Sequence, residues 1–280
     1  MGERGVIHTG NCIDVMKQHV PAGSVDLIIT SPPYDNIRLY NGYSFDYEKV
    51  IDGLTRVIKP GGVCVWIVAD QSDEGDESGT SFRQALYFKS TGWKLFDTMI
   101  YSKPLRGGVG SKNSYYQTWE YMFVFSYQTI PKTINLIKDH KSVWINKRKR
   151  TWGRNPDGSR QQTNNRQQLE PYTKRGNVWQ YATGLYNSTS DKKAFEHPAI
   201  FPENLAKDHI ISWSNPGDTV LDPMCGSGTT CKVAHMYRRK YIGIDISEEY
   251  TNIAKHRLAN CSQHLDDFNG QEMDTLYQSE

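Results

Sequence analysis

Long apolar runs are what this sequence has least of. The longest, VCVWIVA at residues 63–69, falls far short of the roughly 20 residues that cross a bilayer as a helix, so no membrane partner is expected. Cysteine is scarce. The five thiols are odd in number, scattered and never spaced as CxxC, so neither a disulfide framework nor a thiolate metal site is expected, and no metal requirement follows. The opening MGERGVIHTGN has no basic-then-apolar leader pattern, and Val6 stands where a myristoylation signal needs Ser or Thr; a cytoplasmic protein is the expectation. No glycine loop runs into GK[ST], which excludes a phosphate loop of the Walker kind. There is no internal repeat.

A large overall charge is missing too, at +2, but the balance is uneven along the chain. Residues 138–175 hold eleven Lys and Arg against three acids, a net of +8 that leaves −6 for the rest. An acidic-to-neutral body with one basic arm points to a polyanionic partner.

The 280 residues suit one large α/β domain, or one domain with a sizeable insertion. VDLIIT (25–30) is a short apolar run fit for a strand buried on both faces. FDYEKVIDGLTRVIK (45–59) has helical spacing and ends in the stop signal PGG. VCVWIVAD (63–70) is the next strand and FRQALYFKST (82–91) the next helix. WKLFDTMIYSK and EYMFVFS read as two later strands around a Gly- and Ser-rich loop. From about 130 to 186 the rhythm fails, in a polar, basic stretch interleaved with Trp144, Trp152, Tyr172 and Trp179. That composition suits either a linker or an insert that folds on its ligand. Regular structure resumes with a helix in FPENLAKDHIISWS (201–214), a strand at 219–221, a glycine loop, a helix near 229–237, a strand at 241–244 and a last helix in SEEYTNIAKHRLAN. The expected fold is a doubly wound, mostly parallel α/β sheet of Rossmann-like type with an inserted recognition region, in three parts: 1–129, 130–186 and 187–280.

Two stretches carry chemistry. DPMCGSGTT (222–230) follows a strand and opens a helix, and Gly226 and Gly228 let backbone pass close to a ligand near free helix amides. Alone it is also what a tight turn looks like. Asp245, seventeen residues after Gly228 at the tip of the next strand, is placed as an acid that receives ribose hydroxyls. Capping the helix in DISEEY is its competing and compatible role. The other stretch is DLIITSPPYDN (26–36), a buried strand that stops on two prolines between Ser31 and Tyr34.

Together TSPPY and DPMCGSGTT resemble the amino-methylating DNA methyltransferases that use S-adenosyl-L-methionine, over nearly the whole chain. The order, with TSPPY first, the glycine loop later and a basic insert between, is similar to the permuted β class of that family. HPAIFPENL (197–205) is similar to that class's cofactor-flanking motif, and IYSKP (100–104) and EYMFVFS (120–126) match more loosely.

The resemblance implies a catalytic loop of Ser31, Pro32, Pro33 and Tyr34. An exocyclic amino group is a poor nucleophile because its lone pair is delocalised into the ring. Acceptors such as Ser31 Oγ and the Pro32 carbonyl would draw its hydrogens and localise that pair, the prolines would fix the carbonyl direction, and Tyr34 would stack on a base taken out of the duplex. The resemblance further places Asp222 at the methionine ammonium, with Pro223, Met224, Gly226, Ser227, Gly228 and Thr229 along the cofactor loop. It makes Phe201 and Pro202 a wall and gives Asp245 the ribose. Met224 replaces the family's usual phenylalanine and keeps its apolar bulk. Gly10–Asn11 replaces the usual Gly-Asp, so the adenine edge falls to Asn11 or Asp14.

In the basic insert, Lys147, Arg148, Lys149 and Arg150 suit phosphates, while Arg154, Arg160 and Arg166 join them as DNA-binding residues, arginine being able to read guanine as well. A solvated charge run is the plainer alternative for the KRKR cluster. Double-stranded DNA is the expected partner, in a restriction-modification setting, and a second copy of the chain is a further candidate. Ser-Pro-Pro-aromatic usually accompanies cytosine N4 methylation and Asp-Pro-Pro-aromatic adenine, so cytosine is favoured and adenine stays open. Methylation of a ring carbon needs a cysteine nucleophile, usually after proline, and no Pro-Cys occurs. An RNA or protein-glutamine methyltransferase, and a DNA-binding module with a dead cofactor site, are the remaining rivals.

Overall fold

The computed structural model describes residues 5–33, 45–104, 115–142, 151–163, 171–182, 188, 189, 191, 194 and 202–261, with the backbone alone at 73, 151–153 and 161–163. The chain divides into two compact units, Met1–Asn135 with Asn177–Glu280, and Leu136–Gly176.

In chain order the elements are β1 (Gly5–Thr9), α1 (Cys12–His19), β2 (Val25–Thr30), α2 (Tyr47–Val57), β3 (Ile58–Val68), the short β4 (Ser72–Asp73) and β5 (Asp76–Glu77), α3 (Thr80–Ser90), β6 (Trp93–Ser102) and β7 (Trp119–Tyr127). The second unit holds β8 (His140–Lys141), β9 (Thr151–Arg154), β10 (Arg160–Thr163) and β11 (Tyr172–Thr173). Then follow β12 (Val178–Gln180), α4 (Glu203–Trp213), β13 (Thr219–Asp222), α5 (Thr229–Met236), β14 (Lys240–Asp245) and α6 (Glu248–Ala259).

The first unit is built on an eight-stranded sheet ordered β1-β14-β13-β2-β3-β7-β6-β12, in which β7 alone runs antiparallel to its neighbours. From β13 the chain winds outward through α5 to β14, and from β2 it winds the opposite way through α2 to β3. Right-handed crossovers in opposite directions place the two helix sets on opposite faces. One set is α1, α2 and α3, the other α4, α5 and α6.

Local sequence explains the elements. α2 buries Val50, Ile51, Leu54 and Val57 along one stripe, and the Asp46 carboxylate caps it by accepting from Lys49 N. β2 is buried at five of six positions because it lies inside a sheet covered on both sides. The core beside it is aromatic. Phe88 stacks on Phe125 at 4.3 Å, and the buried Trp66 donates from Nε1 to Gln84 Oε1 at 2.8 Å.

Two departures from expectation have local causes. The PGG stretch, expected as a helix stop, lies inside β3, and the pairing of β2 with β3 shifts register between Val25 and Leu27. Gly61 takes φ +76 there, and a Cβ on it would sit 2.7 Å from Lys132 Cγ, so the glycine absorbs the irregularity. Trp179, grouped by sequence with the aromatics of the basic stretch, is instead a core residue. β12 pairs with β6 and buries Trp179 against the His209 ring at 4.7 Å.

Candidate active site

β13 and β2 are neighbours at the centre of the sheet, with Val220 opposite Leu27 and Leu221 opposite Ile28. This is the point from which the two windings diverge, where open α/β sheets bind ligands beyond the strand ends. β13 ends on Asp222 and β2 on Thr30, and these residues join across it: Thr30 Oγ1 donates to Asp222 Oδ1 at 2.9 Å, with both side chains buried. Two stretches almost two hundred residues apart therefore start side by side. Ser31 and Pro33 continue half-buried from Thr30, and Pro32 is buried. Tyr34 and Phe201 lie outside the described residues.

The turn after Asp222 is tied down amide by amide. Met224 N donates back to Asp222 Oδ1 at 3.2 Å, Cys225 N to Ile244 O at 2.8 Å, Gly226 N to Asp245 Oδ2 at 2.8 Å and Gly228 N to Cys225 O at 2.7 Å. Gly226 and Gly228 both have positive φ, 50° and 78°. A Cβ on Gly228 would come within 2.7 Å of Ala254 Cβ, so this glycine serves both the turn and the approach of α6 to α5. Pro223, Ser227 and Thr229 are buried, while Met224 stays half-exposed at the rim. No described residue accepts a hydrogen bond from Ser227 N.

Asp222 is the most perturbed carboxylate of the site. Burial pushes its pKa up to about 6, against the lowering effect of Thr230, Thr30 and the Met224 amide. Among the described residues no cationic side chain pairs with it, and the buried Thr230 Oγ1 beside it makes no hydrogen bond. A buried carboxylate without a cation, next to an amide without an acceptor, is the donor set that an α-amino-acid zwitterion fits: ammonium on Asp222, carboxylate on the loop amide.

Asp245 stands at the tip of β14, and its two oxygens accept from Gly226 N and Ser247 N. Burial raises its pKa, with these amides opposing the rise. The capping of α6 falls to Ser247, whose Oγ accepts from Tyr250 N, so Asp245 anchors the glycine loop rather than the helix. Gly10 N donates to the Asp245 carbonyl at 2.8 Å, which brings Asn11 next to this tip. The Asn11 side chain is occupied as the cap of α1, accepting from Ile13 N, and Asp14 is exposed in the first turn of that helix. Pro202 is buried at the start of α4.

Within the second unit, β9 and β10 form a hairpin that sets Arg154 directly opposite Arg160, both exposed. Like charges paired across strands repel, and an anion between them relieves the repulsion. Lys147, Arg148, Lys149, Arg150 and Arg166 lie outside the described residues. Two residues escape sequence reasoning. Thr30 had a signal, a hydroxyl side chain at a strand end just before Ser31. Arg257, buried under the glycine loop, had none, because one arginine in a helix looks like any other.

A family model for N6 and N4 methyltransferases, described as DNA methylase, matches residues 25–256. The orphan methyltransferase M.BamHII of Bacillus amyloliquefaciens is 52% identical over 247 residues, covering 88% of this chain and 92% of that protein. The DNA adenine methyltransferase YhdJ of Escherichia coli is 28% identical over 265 residues, covering 92% and 84%. Among solved structures, the cytosine-N4-specific PvuII DNA methyltransferase shares the fold with a TM-score of 0.63 at 19% identity, over 92% of this chain and 88% of that one. A DNA modification methylase of Thermus thermophilus, TTHA0409, solved with S-adenosyl-L-methionine, does so at 0.61 and 21% identity, over 91% and 93%. The chain belongs to the DNA methylase family, the methyltransferases that modify the N4 or N6 amino groups of DNA bases.

Proposed function

We propose that this chain methylates the N4 amino group of cytosine in duplex DNA, on a base turned out of the helix, with S-adenosyl-L-methionine as donor. What carries the reading is the Thr30–Asp222 hydrogen bond, which sets the Ser-Pro-Pro loop and the glycine loop at one mouth. The cofactor supplies an electrophilic methyl carbon on a sulfonium. The chain holds its amino-acid end with Asp222 and the Ser227 amide, lines it with Pro223, Met224, Gly226, Gly228, Thr229, Phe201 and Pro202, and offers Asp245 to the ribose and Asn11 or Asp14 to the adenine edge.

On the other side, Ser31 Oγ and the Pro32 carbonyl accept the amino hydrogens and turn the nitrogen lone pair toward the methyl. Pro32 and Pro33 carry no amide hydrogen to compete for that lone pair, and Tyr34 stacks on the target ring. Positioning and electrostatics carry the rate, without a covalent intermediate. Arg154, Arg160, Arg166 and the Lys147–Arg150 cluster neutralise DNA phosphates.

A second reading, N6 methylation of adenine, is favoured by the similarity to YhdJ. Duplex DNA treated with enzyme and donor, digested and resolved by mass, is expected to yield N4-methylcytosine. N6-methyladenine instead would move the assignment to the second reading, and no methylated nucleoside would sink both.

A further inference from the structure

No cation stands before the glycine loop among the described residues, but one stands beneath it. Arg257 in α6 has a fully buried side chain. Its Nη1 donates to Ser227 O at 2.6 Å, Ser227 Oγ at 3.1 Å and Thr229 Oγ1 at 3.2 Å. Its Nε donates to Asp191 Oδ2 and its Nη2 to Glu203 Oε1, each at 2.8 Å. Glu203, the first residue of α4 after Pro202, also accepts from Lys232 Nζ at 2.8 Å and Thr189 Oγ1 at 2.7 Å. Two cations and two anions thus balance in one buried cluster, which removes most of the penalty for taking them out of water.

The cluster acts on a peptide that needs holding. The peptide between Ser227 and Gly228 is pinned at both ends, its carbonyl by Arg257 and its N–H by Cys225 O. On either side are glycines at positive φ, which on their own reach many conformations. Fixing that peptide aims the neighbouring Ser227 N–H, while Glu203 fixes the Pro202 side of the cleft through the same guanidinium.

Resting on the proposed function, we propose that Arg257 is a positioning residue for methyl transfer: it touches no reactant, yet through Ser227 and Glu203 it sets how tightly the methyl donor is held. A planar fork of five donors does this and an ammonium does not.

The test compares wild type with Arg257→Lys and with the milder Asp191→Asn, on the full chain. Titration calorimetry gives the S-adenosyl-L-methionine Kd, anisotropy the duplex DNA Kd, steady-state assays kcat, and melting the folded state. Expected are a donor Kd at least tenfold weaker in Arg257→Lys and threefold or more in Asp191→Asn, with the DNA Kd within twofold and kcat at saturating donor within threefold. Donor affinity within twofold of wild type in the folded variants overturns the proposal, as does a parallel loss of donor and DNA affinity. If Arg257→Lys does not fold, Asp191→Asn decides. Wild type that fails to bind the donor at all would instead sink the proposed function.

Discussion

Replacing Asp222 by asparagine should stabilise the free protein while disabling it. The carboxylate's pKa is raised from the ordinary 3.8 to about 6, chiefly by burial. The neutral acid is thus the form that the fold favours. Its contribution is fully present below about pH 4 and is lost as pH rises through about 6. At pH 8 the ionised group costs the fold about 3 kcal/mol, at about 1.4 kcal/mol per pH unit of pKa difference. Asparagine has nearly the same shape, keeps an oxygen for Thr30 and Met224 N, and brings an NH2 within reach of the unpartnered Thr230 Oγ1. Asp222→Asn should therefore melt higher than wild type at pH 8 by about 6 to 10 °C. By pH 5, where wild type is largely protonated, the gap should fall by about half. Calorimetry of the ligand-free proteins across that range measures it. The same variant should bind S-adenosyl-L-methionine about 100-fold more weakly, since the ammonium loses its counter-charge. A variant that melts lower than wild type by a pH-independent amount, or binds the donor unchanged, refutes the reasoning.

Ser31→Ala should lower kcat on duplex DNA by about 100-fold with donor binding retained, as expected for an acceptor used in the transition state; stopped assays with labelled donor check both. Gly228→Ala should destabilise the fold by about 2 to 4 kcal/mol in urea titrations, because the residue sits at φ +78 and its methyl would meet Ala254 at 2.7 Å. Changing Arg154 and Arg160 together to Gln should lower the slope of log affinity against log salt for duplex DNA by about 2, and an unchanged slope would place both arginines away from phosphates.

Much of the sheet was legible because its central strands are buried on both faces and so read as unbroken apolar runs. VDLIIT and VCVWIVA could hardly be anything else. β1 was not legible: GVIHT mixes a histidine and a threonine into five residues and is half-covered at the sheet edge, so no run marks it. The helix boundary at Val57 was misplaced because PGG signals a stop, whereas here the glycines serve an irregular strand. Ser31 and the glycine loop announced themselves through rare local chemistry. Thr30 and Arg257 did not, since their importance lies in partners 192 and 30 residues away, and separation of that kind leaves no mark on a single sequence.

The pairing of Val220 with Leu27 also sets a timetable. A growing chain completes β2, β3, β7 and β6 long before β13 exists, so a half-sheet waits with the inner edge of β2 uncovered. Closing contacts so distant in sequence is slow, and a bare strand edge invites pairing with another nascent chain. The enzyme acquires its methyl-transfer cleft only in the last stage of synthesis. Overproduction should accordingly fail by aggregation of early fragments rather than by unfolding of the finished protein.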